Sequence, residues 1–248
     1  MIIFNRVEHK YFIDRTTWTP LERDVRALIQ ADRYTDTTGG YVVRSIYFDT
    51  PDFMEYNRKM MGIAERHKLR MRVYGEDPEN APFVRLEIKS RYINVIHKIT
   101  VDVPREKFPE VEDTMYNHRA APEWLLDDPN ISKEFFRIQR QYNMQPQILV
   151  QYRRRAYEKN ELSRVRINFD YDLQGSRHLD LLGPLQGARS LLKYGNCIFE
   201  IKVDGVMPFW LHKLIAKYDL QNQAISKYCN AVKGQSWASP FARPDEFI

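Results

Sequence analysis

The chain has only two cysteines, Cys197 and Cys229, and no CxxC pair. That excludes a zinc cluster and a disulfide scaffold and fits a reducing compartment. Long apolar runs are also missing. Gly205 to Ile215 is interrupted by Pro208 and His212, far short of the roughly 20 residues a membrane span needs. The opening MIIFNRVEHKYFI has no cationic start, apolar stretch and small-residue cleavage site, so it does not read as a signal peptide, and a cytoplasmic location is expected. No GxxxxGKS/T, GxGxxG, HExxH or GxSxG occurs, which leaves P-loop, dinucleotide, zincin and serine-hydrolase chemistries without their signatures. Gly/Ser-rich linkers, composition breaks and internal repeats are absent too, so residues 1–248 read as one domain.

What is present is a folding composition. Of 248 residues, 43% are hydrophobic and 13% aromatic, which excludes a disordered chain. The 38 Lys and Arg exceed the 33 Asp and Glu by five, a basic excess that permits an anionic partner without demanding one. Short alternating windows predict eight strands: Arg6 to Asp14, Tyr41 to Phe48, His67 to Tyr74, Phe83 to Ser90, Ile96 to Val103, Gln147 to Tyr157, Arg164 to Tyr171 and Cys197 to Val203. Thr19 with Pro20 predicts a helix start running to about Ala31, and Thr50 with Pro51 another, stopping near Gly62. Further helices are expected at Ser132 to Asn143 and Pro208 to Tyr218, with the Pro104 to Met144 insert on the outside and an extended tail from Gln235.

The residues that alternate are unusual. Strand residues two apart share a face. Glu8 and Lys10, with Arg6, therefore lie together, as do Glu87 with Lys89 and Glu200 with Lys202. Lys68, Arg70 and Arg72 form a cationic line, Arg164 and Arg166 another, and Arg153, Arg154 and Arg155 stand in a third strand. Between them come Leu69, Met71, Leu86, Ile88, Val165, Ile201 and Val203, so one face is apolar and the other ionic. For a single strand, a solvated charged face explains this. Across five strands, with the apolar face needed to seat the helices, the ionic face is left to line something. The expected fold is α+β, an eight-stranded antiparallel barrel with helices packed outside and a water-filled tunnel within.

Like charges about 4 Å apart repel by roughly 4 kcal/mol at an effective dielectric near 20, so a ring of Lys and Arg is strained until a polyanion fills it. Arg offers a planar fork and Lys a point charge, both suited to phosphate oxygens. Glutamates among them make sense as ligands for a divalent metal bridging those oxygens. His9 and His67 fall on the apolar face and are expected to pack against helices. Phe209 and Trp210 should pack on the exterior, and both cysteines should be buried thiols.

The ordered set RVEHKYFI, VRSIYFDTPD, KLRMRVYG, LEIKSR, YRRRAY, RVRINFD, FEIKV and SKYCNA resembles the triphosphate tunnel metalloenzymes, and most closely the polyphosphate polymerase domain of the vacuolar transporter chaperone (VTC) type. The resemblance implies phosphate binding by Lys10, Arg70, Arg72, Lys89, Lys98, Arg154 and Arg166, with Arg6, Lys68 and Lys202 on the same ionic faces. It implies Glu200 as leading ligand of Mn2+ or Mg2+, assisted by Glu8 and Glu87. Tyr152, Ser226 and Lys227 would join near the tunnel end, and His97 occupies a position where the family has a basic or polar tunnel residue. Hydrolytic and cyclase members open with Glu-x-Glu-x-Lys, whereas this chain has Arg6, Glu8 and Lys10. The missing glutamate favours the polymerase branch: terminal phosphoryl transfer from ATP to a growing inorganic polyphosphate chain, with Arg70, Arg72, Arg154, Arg166 and Lys89 neutralising the transferred charge. A triphosphate hydrolase and a non-catalytic polyanion or RNA-binding module are the alternatives. The regulatory and membrane segments of eukaryotic relatives are not recognisable in these residues, so any product export is expected to need a separate membrane partner, placing the chain at the inner face of a membrane.

Overall fold

The computed structural model describes residues 6–92, 95–126, 132–160 and 164–235. Its strands are β1 (Arg6–Ile13), β2 (Gln30–Ala31), β3 (Tyr41–Asp49), β4 (Arg66–Tyr74), β5 (Phe83–Tyr92), β6 (Val95–Pro104), β7 (Gln145–Asn160), β8 (Arg164–Ser176), β9 (Arg189–Ser190) and β10 (Cys197–Asp204). Its helices are α1 (Arg15–Leu28), α2 (Arg33–Thr38), α3 (Met54–Met60), α4 (Phe108–Tyr116), α5 (Glu123–Leu126), α6 (Ser132–Gln141), α7 (Phe209–Lys217) and α8 (Lys227–Gly234). Eight strands form one antiparallel path in the order β1-β10-β8-β7-β3-β4-β5-β6, with β2 and β9 as short additions beside β7 and β8. The expected eight strands and outer helices are thus present. The ladder stops short of closure among the described residues, since β6 and β1 do not pair. An ion pair bridges that seam instead, Lys89 Nζ on β5 lying 3.1 Å from Glu8 Oε2 on β1.

The apolar strand faces meet the helices in two separate cores. Leu69, Met71, Leu86 and Ile88 pack with Phe108, Val111, Met115 and Phe135 from the insert. Ile167, Phe169, Phe199 and Ile201 pack with Leu21 and Val25 of α1 and Leu211 and Leu214 of α7. Leu21 and Val25 are one turn apart on α1 and fully buried, each stabilising the fold by about 1.5–3 kcal/mol. Trp210 joins this core, but Phe209 is 73% exposed and does not pack on the barrel as expected. Helical spacing explains it, because adjacent residues point about 100° apart and only one can face the sheet.

Helix starts differ from the sequence reading. α1 opens at Arg15 rather than at Thr19 and Pro20, because the Asp14 side chain accepts from Thr17 N at 2.9 Å and a carboxylate at that position is a strong cap. Pro20 then lies inside the helix. α3 opens at Met54, not Pro51. The buried Asp49 carboxylate accepts from Thr50 N, Glu55 N and Tyr56 N at 2.8 to 2.9 Å and from the Tyr228 hydroxyl, tying α3 to α8. The expected tail lies, after Gln235, outside the described residues.

α8 was not foreseen, and its place matters most. It packs inside the curl, where Tyr228, Cys229, Ala231 and Val232 meet Ile148, Val150, Leu173 and Ile198 from the inner strand faces. Gly175 permits this: a Cβ there would stand 3.2 Å from Ala231 Cβ and 3.1 Å from Leu191 Cδ1. One end of the interior is therefore filled with apolar side chains and the rest is left to the charged ones.

Candidate functional site

Register decides which side chains share the interior, because directly opposed residues of an antiparallel pair face the same way. Lys10 opposes Glu200, and Glu8 opposes Lys202. Arg166 opposes Lys202, and Asn168 opposes Glu200. Arg154 opposes Asp170, Arg70 opposes Glu87, and Lys68 opposes Lys89, which in turn opposes Lys98. The ionic sets read from separate strands thus converge on one concave face. Arg153 and Arg155, of opposite parity to Arg154, turn outward to Glu76 and Glu22.

Three clusters build the wall. In the first, Arg70 Nε donates to Glu87 Oε2 at 2.6 Å and its Nη1 to the Tyr47 hydroxyl at 3.1 Å. Lys98 Nζ lies 2.9 Å from the other Glu87 oxygen, and Arg72 Nη1 3.5 Å from Oε2. Arg72 Nε also donates to Ser45 Oγ. In the second, Arg154 forks onto Asp170 through Nε and Nη2 at 2.6 and 2.8 Å. Lys227 Nζ lies 2.7 Å from the same carboxylate, and both cations stand over the Tyr152 ring. In the third, Glu200 meets Lys202 at 3.1 Å, Lys10 at 3.6 Å and Asn168 Nδ2 at 3.1 Å, while Lys10 also reaches Glu8 at 2.7 Å. Arg154 links the last two, its Nη2 lying 3.6 Å from Glu200 Oε2.

These contacts set the charge states. Burial opposes ionisation of Glu87, yet Arg70, Arg72 and Lys98 hold its carboxyl far below the usual range. Glu200 and Asp170 are likewise lowered against burial, by Lys202 and Lys10 in one case and Arg154 and Lys227 in the other. Burial brings the Lys68 and Lys202 ammonium groups down to about 8. Burial would raise Tyr47 and Tyr74, but the arginines beside them bring both phenols down to about 8.

Several sequence expectations need correction. The interior is not a bare, mutually repelling ring, because Arg70, Arg72, Arg154, Lys10, Lys202 and Lys227 each have a carboxylate within 4 Å. His97 is not a tunnel residue: it opposes Ser90, whose hydroxyl bonds the His67 ring on the helix-packed face. Buried His67 packs there as expected. Ser226 is committed as the cap of α8, its hydroxyl accepting from Cys229 N at 3.3 Å. Arg166 turns to Asp32 at 2.9 Å and Glu158 at 3.3 Å. Glu8 and Glu200 are neighbours, but Glu87 is held apart by its own cations, and no group of three or more His, Cys, Asp or Glu among the described residues converges at metal-ligand spacing. Backbone pairing places Arg6 opposite Asp204 at the end of β1; its side chain is outside the described set.

Sequence reasoning missed Asp170, Asp32 and the phenols of Tyr47 and Tyr74. The signal for Asp170 was available. Arg164, Arg166, Asn168 and Asp170 continue a period-two polar line in β8, and Asp170 ends it opposite Arg154.

The family model for the VTC domain matches residues 5–234. The chain belongs to the VTC domain family. No curated protein matches it in sequence. Among solved structures, HpAC1 from Hippeastrum, an adenylyl cyclase candidate reported to have a dominant triphosphatase activity, is similar with a TM-score of 0.53 at 13% identity, covering 92% of this chain and 96% of that one. A candidate adenylate cyclase from Bacillus halodurans gives 0.49 at 13% identity, with 94% and 97% covered. The PH1819 protein from Pyrococcus horikoshii OT3 gives 0.48 at 14%, with 93% and 99% covered. The VTC domain of this chain is built on the triphosphate tunnel fold, and family and fold together mark it as a phosphate-related tunnel enzyme. No described helix is long and apolar enough to cross a membrane.

Proposed function

We propose that this VTC domain transfers the terminal phosphoryl group of ATP to a growing inorganic polyphosphate chain inside the basic tunnel. The observation that carries the reading is the wall itself: Lys10 of β1, Arg70 and Arg72 of β4, Arg154 of β7, Lys202 of β10 and Lys227 of α8 converge on one interior, and each of these six has a carboxylate within 4 Å. Such a wall does not collapse when empty and exchanges its carboxylate contacts for phosphate oxygens when a polyanion enters. Phosphoryl transfer asks for little covalent chemistry from the protein, since positioning and charge stabilisation supply most of the acceleration. Arg70, Arg72 and Arg154 would hold the γ-phosphoryl and neutralise charge as the bond from the acceptor oxygen forms and the bond to the ADP oxygen breaks. Lys10, Lys68, Lys89, Lys98, Lys202 and Lys227 would hold the flanking phosphates.

The carboxylates support transfer over hydrolysis. A general base for water works best with a pKa near the operating pH, whereas Glu8, Glu87, Glu200 and Asp170 are all driven below their ordinary values. A phosphate acceptor is already anionic and needs no such base. The family implies a divalent metal, and the adjacent Glu8 and Glu200 fit one, because Mg2+ typically takes one or two carboxylates and completes its shell with phosphate oxygens and water. Bound there, a divalent ion would supply charge neutralisation at the nucleotide phosphates.

The test is incubation with ATP and either Mn2+ or Mg2+, with products resolved on a gel stained for polyphosphate. Long chains are expected. Free phosphate alone would make the protein a hydrolase, and intact ATP with tight polyanion binding would make it a binding module.

A further inference from the structure

The two ends of the curl are built differently. α8 fills the end where β3 and β8 finish, with Tyr228 bonded to Asp49 and Ala231 packed on Gly175. At the opposite end β3 begins and β4 finishes, and there the interior face turns aromatic. Tyr41 opposes Arg154, Tyr74 continues the Arg70 and Arg72 line of β4, and Tyr34 of α2 adds a third ring. The Tyr41 and Tyr74 ring centroids lie 6.4 Å apart, and Tyr34 meets Tyr41 edge-on at 5.7 Å. Arg72 Nη1 is 3.5 Å from the Tyr74 hydroxyl and Arg166 Nη2 3.3 Å from the Tyr41 hydroxyl, so the rings begin where the phosphate-facing guanidiniums end.

The charges at this end are held differently from the deep ones. Arg166 lies between two carboxylates, Asp32 at 2.9 Å and Glu158 at 3.3 Å, and Arg85, opposite Arg72, forks onto Asp102 at 2.6 and 2.7 Å. Deeper in, one carboxylate, Glu87, is shared among Arg70, Arg72 and Lys98. A further phosphate therefore gains less at the aromatic end than inside, and a flat, uncharged group gains more. Tyr34 is 51% exposed, which a ring needed only to plug the barrel would not be. Arg33 stands over it at 4.5 Å, and bases stack on guanidinium planes as well as on aromatic rings.

We propose that Tyr34, Tyr41 and Tyr74 form a stacking platform for the base of the nucleotide, whose triphosphate runs inward to Arg70, Arg72 and Arg154. This rests on ATP as the phosphoryl donor and accounts for the part of it that the cations leave unread. Every base has a π-face, so stacking tolerates any of them; the platform favours nucleotides over inorganic triphosphate without demanding adenine.

Calorimetric titration of ATP and of inorganic tripolyphosphate into wild type and Tyr34→Ala, the outermost ring, separates base from phosphate. Expected is a loss of about tenfold in ATP affinity with tripolyphosphate affinity kept within about twofold, a similar loss for GTP, and recovery of both nucleotides in Tyr34→Phe. Equal loss of ATP and tripolyphosphate, or loss of neither, overturns the platform. So does a loss in Tyr34→Phe as large as in Tyr34→Ala, which would assign the effect to the hydroxyl. Failure of wild type to bind tripolyphosphate at all would overturn the tunnel reading itself, and the platform with it.

Discussion

Replacing Asp170 by asparagine removes one negative charge from beneath two cations and changes almost nothing in shape. Asp170 is fully buried, accepts both arms of the Arg154 fork and lies 2.7 Å from Lys227 Nζ. An asparagine offers one acceptor oxygen where three donors converge, and its own amide would point a further donor at them. Breaking a buried pair from one side costs about 3–5 kcal/mol, because the remaining charge is left uncompensated. For a chain of this length that corresponds to a fall in Tm of about 6–20 °C. The deficit has a pH signature. The folded-state pKa of Asp170 is depressed by Arg154 and Lys227 despite burial, so its contribution is present above the unfolded value and lost as pH falls through the folded one. The gap between wild type and Asp170→Asn should therefore be full at pH 7 and narrow below about pH 4, where the unfolded carboxyl begins to take up its proton. Added tripolyphosphate should stabilise the variant more than the wild type, since the anion replaces the missing charge. Differential scanning calorimetry across pH, with and without tripolyphosphate, checks all three. A variant as stable as wild type at pH 7, with no added benefit from the anion, would refute the view that a buried carboxylate holds this wall together.

Arg70→Ala should abolish turnover while shifting Tm by no more than a few degrees, because Glu87 keeps Lys98 at 2.9 Å and Arg72 at 3.5 Å; normal turnover in the ATP assay would remove Arg70 from the site. Tripolyphosphate affinity should fall as pH rises through about 8, since Lys68 and Lys202 lose their protons there and Tyr47 and Tyr74 become anionic, all four changes acting in the same direction; calorimetric titration from pH 6 to 10 would show it, and a flat profile would contradict it. Ser226→Ala should cost about 1 kcal/mol of stability through the lost α8 cap and leave the KM for ATP unchanged; a raised KM would restore Ser226 to substrate binding.

The sheet was legible because period two is a local property. KLRMRVY, LEIKSR and FEIKV each state which residues face together, and the structure keeps those faces. What the sequence could not state was pairing. Glu87 and Lys89 look alike in LEIKSR, yet register sets Glu87 beside Arg70 and Lys89 across the seam from Glu8. His97 shows the limit from the other side: the resemblance placed it in the tunnel beside Lys98, but adjacent strand residues face opposite ways, and register sets Lys98 against Lys89 and His97 against Ser90. α8 was hidden for a different reason: its burial inside the curl depends on Gly175, which sits more than fifty residues away on β8.

Balanced charge in the deep tunnel has a consequence for selectivity. A carboxylate that already satisfies a guanidinium must be displaced or accommodated before a phosphate binds there, so a single phosphate gains little in the interior. A chain recruits several cations at once, and each added contact is made without a new loss of translational freedom, as in linked binding modules. Inorganic monophosphate should therefore bind weakly and affinity should rise steeply with the number of linked phosphates. The carboxylates that weaken each contact are then what makes the tunnel discriminate chains from monomers, and neutralising Glu87 alone should flatten that dependence by strengthening the hold on the shortest ligands.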